Sequence, residues 1–424
     1  MHCTIEIFGQ DRWQPCCLVE TDTPEKGKTS PSRLTYLPDY IKTGTLPVSR
    51  HYPVRPEPYL LPHWPSFLFD LIPDGEGRDY LLYEHHLPDT AAVNWQIMLL
   101  GAIDPVGNLR IAEAYEAYKR HLADRAPVWV NRGFTLKEIL ERSEDFVEYL
   151  EEHGMLSAGT TSLQGKTPKF LMTRDKNGLW YADAALPDER AAGHFLLKLS
   201  SGRNLADWKV LENEAGYFRV AHEMGITVSR LPTWQSDMLF IPRFDREVSG
   251  NHVIRHATES LVSLCGIADE TVMPSQNTVL DTLRHFTSDP AGTTLEYVKR
   301  DMLNVALGNT DNHPHNTAIL SSGKQTGLAP LYDFSPSHLM TDDIARSLEW
   351  VDERGEILDD WGEIIRRIAI PEAEREYFDK GIRDFTEKLA GLEDRMKNAG
   401  IDDDIIDARY YSIANLRAQL NSRS

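Results

Sequence analysis

Apolar and polar residues alternate in CTIEIFG (3–9) and QPCCLVE (14–20), which predicts two strands with Asp11, Arg12 and Trp13 as turn material. The stretch RLTYLPDYIKTGTLPVSRHYPV (33–54) carries strand and turn signals broken by prolines. HWPSFLFDLIPDG (63–75) reads as a short apolar helix or turn closed by Pro73 and Gly75. From about 155 to 245 the pattern is that of an antiparallel sheet with one helix. KFLMTRDKNGLWYAD (169–183) is a hairpin signal, HFLLKLS (194–200) a buried strand, and DMLFIPRFDR (237–246) a further strand. Between them, ENEAGYFRVAHEMG (212–225) places Ala215, Phe218, Ala221 and Met224 at helical spacing, with Gly225 as a stop.

After residue 255 the pattern turns helical. TLEYVKRDMLNVALGN (294–309) puts Leu295, Val298, Met302 and Val305 on one face. WGEIIRRIAI (361–370) and FTEKLAGLEDRM (385–396) mix charges with apolar positions, as bundle helices with solvated outer faces do. No internal repeat or low-complexity tract interrupts the chain.

Composition adds limits. A chain of 424 residues exceeds one small domain. No run approaches the roughly 20 apolar residues of a membrane span. Asp11, Arg12 and Glu20 stand where a signal peptide needs an apolar stretch, so a cytoplasmic protein is expected. The four cysteines, Cys3, Cys16, Cys17 and Cys265, form no CxxC, which fits a reduced protein without structural zinc. A net charge of −20 gives no general attraction to DNA or anionic membranes.

The candidate chemistry lies in GNTDNHPHNTAIL (308–320) and LAPLYDFSPSH (328–338). A helix is expected to end at Gly308 or Asn309. A polar loop follows with Asp311 and Asn316, then strand TAIL, turn SSGKQTG and returning strand LAPLY, with Asp333 at its end. Phosphoryl transfer needs a carboxylate facing the attacking hydroxyl, and a second carboxylate plus a neutral oxygen to hold magnesium on the phosphates. Kinases space the first Asp and the Asn five positions apart and place the metal Asp one hairpin later. Asp311, Asn316 and Asp333 keep that order and spacing. The bland alternatives are a polar turn with Asp and Asn as caps, and a zinc site at His313 and His315, for which a pair alone is too few ligands. Lys198, a charge inside an apolar strand, and Lys169, at the end of TTSLQGKTPK (160–169), are the candidate phosphate lysines. Glu214 is the candidate ion-pair partner of Lys198.

These fragments, in order, resemble the HipA family of bacterial serine/threonine kinase toxins. PSFLFDLIPDG resembles its N-terminal signature, SLQGKTPK its nucleotide loop, HFLLKLS its lysine strand and NEAGYFRVAHEMGI its glutamate helix. IPRFDR resembles its hinge, GNTDNHPHN its catalytic loop and LYDFSPSH its metal-aspartate segment. The resemblance implies an α+β, two-lobed protein-kinase-like fold with a small N-terminal β-rich subdomain (1–125), a kinase N-lobe (126–245) and an all-helical C-lobe (246–424). It implies ATP and magnesium as cofactors and Asp311 as the catalytic residue. Asn316 and Asp333 would be the metal ligands. Gln164, Gly165, Lys166, Thr167, Pro168 and Lys169 would form the phosphate loop, and Lys198 would hold the phosphates. Pro242, Arg243 and Phe244 would line the adenine, and His313, His315, Tyr332, Asn316 and Asp333 would complete the nucleotide site.

Ser162 matches an autophosphorylated serine that switches the family's kinases off, with Thr160 and Thr161 beside it as other acceptors. The implied partners are a protein substrate in translation, such as an aminoacyl-tRNA synthetase, and a helix-turn-helix antitoxin that carries the contact with DNA. The chain departs from the family's Asp-Gly-His-Ala-Lys-Asn loop, reading Asp-Asn-His-Pro-His-Asn, so His315, a weaker cation, stands for lysine. Two other readings stay open on the sequence: a small-molecule kinase on a related fold, and a non-catalytic nucleotide-binding protein.

Overall fold

The computed structural model describes residues 1–44, 46–125, 131–152, 169–199, 205–269, 271–340 and 345–422. By its internal contacts the chain divides into two compact units. One comprises Met1–Leu199 with Gln235–Thr271, the other Ser200–Trp234 with Val272–Ser424.

The first unit opens with an antiparallel sheet in the order Tyr59–Leu61, Ser32–Tyr36, Arg12–Thr21, His2–Gly9, Leu109–Ile111. Alternation decides its faces: Cys3, Ile5 and Ile7 are buried, whereas Thr4 and Glu6 between them keep part of their surface. The first hairpin turns at Gln10 and Asp11, both with positive φ (55° and 57°), and Arg12 and Trp13 already belong to the second strand. The turn is thus tighter than the sequence pattern suggests, because a two-residue turn with positive φ matches strand twist. All four cysteines are thiols, and Cys3, Cys16 and Cys17 are packed in the core.

A second antiparallel sheet orders Trp180–Ala182, Lys169–Asp175, Ala191–Leu199 and Met238–Pro242. Its apolar face gathers Phe134, Phe146, Tyr149, Trp180 and Phe240 into one cluster. DMLFIPRFDR is not one strand. It ends at Pro242, which lacks an N–H to continue the ladder, and a separate strand runs over Arg246–Ser249.

Beneath this break lies a buried ion network. Arg243 pairs bidentately with Asp245 (Nε–Oδ1 2.9 Å, Nη2–Oδ2 2.7 Å) and with Asp183 (Nη1–Oδ2 2.6 Å). Arg246 reaches Asp245 (2.5 Å), Asp104 (3.1 Å) and the Gly107 carbonyl (2.5 Å). Asp183 also meets His194 Nδ1 at 2.6 Å. Burial works to raise the Asp245 carboxyl, but Arg243 and Arg246 overcome it and hold the group well below the usual carboxylate range.

The apolar segment Ser66–Leu71 is a 3-10 helix, and its Asp70 accepts from the Ser260 amide (2.9 Å) and hydroxyl. Ser260 in turn caps the turn Leu261–Leu264. Although the residue keeps part of its surface, its carboxyl group is shielded. Burial and the nearby charge of Glu259 push it up to about 7, against the Ser260 hydrogen bonds that lower it. An acid raised above its unfolded value of about 3.9 binds its proton more tightly when folded. Its contribution is therefore full below about pH 4 and is lost as pH rises toward 7. Asp70→Asn should flatten this part of the stability curve. Denaturant melts of wild type and variant between pH 4 and 7 check it, and parallel curves would refute it.

The second unit is a helical assembly with one hairpin. Helix Pro290–Leu307 packs on Glu372–Leu389 and Asp403–Asn421. Leu295, Val298 and Met302 are buried as their spacing predicts, and Val305 is half-buried. The hairpin pairs Ala318–Ser322 with Gln325–Leu328, so this part of the chain is helical but not all-helical. The returning strand is QTGL rather than LAPLY. Gly323 takes φ 61° in a two-residue turn, so pairing starts at once, and Pro330 cannot donate further along. Among the described residues no helix is long and apolar enough to cross a membrane.

Candidate active site

The loop that carries Asp311 is built from the end of helix Pro290–Leu307. Asp289 caps the start of that helix and Pro290 occupies its first turn. Gly308 ends it in the left-handed region (φ 70°). A β-carbon there would lie 2.6 Å from His338 Nδ1 and 3.0 Å from the Arg409 guanidinium, so glycine is required twice over. The last carbonyls of the helix are met by side chains. Arg409 donates to Val305 O (3.0 Å) and Ala306 O (3.2 Å), and Tyr217 to Leu307 O (2.8 Å).

Ser337 then gathers the loop. Its hydroxyl accepts from the amides of Thr310 (2.8 Å) and Asp311 (3.2 Å) and donates to Asn309 Oδ1 (3.1 Å). Asn316 donates through Nδ2 to the Asp311 carbonyl (3.2 Å), which joins the two ends of the loop. Tyr332 donates to the His315 carbonyl at 2.6 Å and so ties the loop to the segment that delivers Asp333. Asp333 has a positive φ of 51°. Few non-glycine residues adopt this region, and those that do are found in tight turns and at functional sites.

Asp311, Asn316, Tyr332 and Asp333 line one cavity of about 30 Å³, the size of an ion with its nearest water. Asn316 Oδ1 is buried without a hydrogen-bond donor among the described residues. A buried carbonyl oxygen in that state costs stability unless something electropositive meets it. A hard cation such as magnesium fits this donor set, since it takes oxygen ligands and fills its remaining positions with water and phosphate. Zinc is the poorer fit. Among the described residues no three His, Cys, Asp or Glu side chains converge as metal ligands. His313 and His315 are stacked with centroids 5.3 Å apart, and His313 Nδ1 accepts from the His315 amide (3.2 Å).

The other expected residues fall as follows. Lys169 and Lys198, read separately as phosphate lysines, are direct cross-strand partners and both are buried, Lys198 with 3% of its surface exposed. Glu214 is buried in helix Leu205–Glu223. Pro242 and Phe244 are half-buried. The Arg243 guanidinium is committed to Asp183 and Asp245, which leaves the backbone of this segment for the expected adenine-lining role. Ser162, Thr160, Thr161 and the loop Gln164, Gly165, Lys166, Thr167 and Pro168 lie outside the described residues. The sequence reading missed Ser337, which meets the loop from 27 positions away, and Arg409, which meets the end of the preceding helix from 103 positions away.

Comparison with known proteins agrees with this layout. The HipA N-terminal domain matches residues 24–112, and the HipA-like C-terminal domain matches residues 161–390, more than half of the chain. Y4mE of Sinorhizobium fredii, a protein named as a kinase, is 25% identical over 303 residues, covering 68% of each chain. A chain of the toxin–antitoxin complex of HipA, HipB and operator DNA from Shewanella oneidensis MR-1 has the same fold, with TM-score 0.64 and 15% identity, covering 99% of this chain and 97% of that one. With the C-terminal domain match spanning the loop, the lysine strand and the metal-aspartate segment, and the N-terminal domain matched ahead of it, the chain belongs to the HipA family.

Proposed function

We propose that this protein is an ATP- and magnesium-dependent serine/threonine protein kinase, the toxin of a toxin–antitoxin pair. The observation that carries the reading is the cavity shared by Asp311, Asn316 and Asp333, together with an Asn316 oxygen that is buried without a donor among the described residues. Asn316 and Asp333 would hold magnesium, which when bound offsets charge on the ATP phosphates. Lys169 and Lys198 would meet the phosphates from the lysine strand. The two are direct cross-strand partners, so both would reach the phosphates from the same face of the sheet. Asp311 would accept the proton of the attacking hydroxyl as its oxygen bonds to the γ-phosphorus and ADP leaves.

The family supports the finer assignments. The acceptor would be a protein of translation, such as an aminoacyl-tRNA synthetase, and Ser162 an autophosphorylated off switch. The Shewanella relative is assembled with HipB and operator DNA. For this chain we infer a small helix-turn-helix antitoxin, with DNA reached through it, in keeping with a net charge of −20.

Two measurements test the reading. Incubation with labelled ATP and magnesium should label Ser162, located by peptide mapping. Asp333→Asn should weaken Mg–ATP binding by about 100-fold in equilibrium dialysis. Wild-type protein that neither binds Mg–ATP nor acquires label would remove the proposal.

A further inference from the structure

Asn312 follows Asp311 directly and is buried, with 9% of its surface exposed. Its amide grips the backbone of a segment 35 and 36 positions away. Oδ1 accepts from the amides of Ser347 (2.7 Å) and Leu348 (3.3 Å), and Nδ2 donates to the Leu348 carbonyl (2.8 Å). A side-chain amide offers two donors and an oxygen with two lone pairs, so three of its four hydrogen-bonding positions go to this one stretch of backbone. The glycine that the family's loop carries here could make none of them.

The gripped segment is anchored elsewhere as well. Arg346 pairs with Asp301 (2.7 Å), Trp350 Nε1 donates to the other oxygen of Asp301 (2.9 Å), and the Gln276 amide donates to the Glu349 carbonyl (2.8 Å). Asn312 adds a tie from the loop itself. Leu348, at the end of that tie, lines the same cavity as Asp311, Asn316 and Asp333.

We infer that Asn312 is a positioning residue that fixes residues 347–348 beside Asp311 as the acceptor-side wall of the site, by hydrogen bonds alone and with no covalent modification. The inference rests on the kinase reading above. It assigns Asn312 to the acceptor side because the nucleotide side has its own supports: Asn316 holds the Asp311 carbonyl and Tyr332 holds the His315 carbonyl, and neither passes through Asn312. Removing the Asn312 amide therefore loosens the wall and leaves the proposed metal ligands in place.

The test uses the full chain with Mg–ATP, reading single-turnover transfer to its own hydroxyls and to a degenerate array of Ser- and Thr-containing peptides. Asn312→Ala should lower transfer efficiency about 30-fold, as displacement of a reacting group by a fraction of an ångström does. Amide exchange at Ser347 and Leu348 should speed up about tenfold, the worth of one lost hydrogen bond. The Mg–ATP dissociation constant should stay within about twofold of wild type, since ground-state nucleotide contacts are untouched. Asn312→Asp keeps the acceptor for both amides and should recover part of the protection, which also serves should the alanine variant fold poorly. Unchanged exchange at 347 and 348, or a loss of Mg–ATP affinity equal to the loss of transfer, overturns the inference. Wild-type protein without Mg–ATP binding or transfer sinks the kinase reading and this inference together. Normal transfer by both variants sinks the inference alone.

Discussion

Asp311→Gln should abolish phosphate transfer while sparing the nucleotide. Glutamine fills the same space and cannot take a proton, so the expected loss is about a thousandfold in the rate of the transfer step, within the range for a general base. Mg–ATP affinity should change by no more than about twofold, because in the proposed role Asp311 would act on the attacking hydroxyl and not on the bound phosphates. Rapid-quench single-turnover kinetics give the first quantity and equilibrium dialysis the second. Equal losses in both would place Asp311 among the metal ligands, and an unaffected rate would remove it from the reaction. The Asp333→Asn variant is the counterpart, with the loss expected in binding.

The second large effect concerns stability. Asp245→Asn leaves Arg243 and Arg246 buried with one fewer countercharge between them, and Arg246 has no surface left in water. Breaking a buried pair from one side costs about 3–5 kcal/mol. For a unit of this size that corresponds to a fall of roughly 10 °C in melting temperature. The sign of the pH effect follows from a depressed carboxylate. Its contribution is full above the unfolded value near 3.9 and is lost progressively as pH falls through that value toward the depressed folded one, so the gap between wild type and variant should begin to narrow at about pH 3.5 without closing. Calorimetry at pH 7 and pH 3.5 measures both. A variant as stable as wild type at pH 7 would show that the network contributes little.

Much of the site was readable because it is local. Asp311, Asn316 and Asp333 sit in one stretch whose turn, strand and helix-stop signals depend on neighbours in sequence, and the structure brings the three around one cavity. Lys198 was readable for a different reason: a charge inside HFLLKLS needs an explanation, whatever the fold. The errors came where the third dimension competes. The ion network of Arg243 and Arg246 was not legible because IPRFDR says nothing about Asp183 or Asp104, which lie 60 and 142 positions from their arginine partners. The returning strand was shifted because an apolar LAPLY outweighs a polar QTGL by hydropathy, while the turn geometry at Gly323 decides the register. Asn312 looked like a substitution in a polar loop; its three hydrogen bonds become visible only when residue 348 is brought beside it.

The Arg409 contacts set the order in which the proposed site is completed. The donors that close the helix ahead of Asp311 come from about a hundred residues downstream. A ribosome-bound chain synthesised through the metal-aspartate segment, but with residue 409 still in the exit tunnel, has every proposed chemical group and an unfinished loop to carry them. Under the kinase proposal, activity waits until helix Asp403–Asn421 packs against helix Pro290–Leu307, so a loop whose own residues are local is completed only by a distant element.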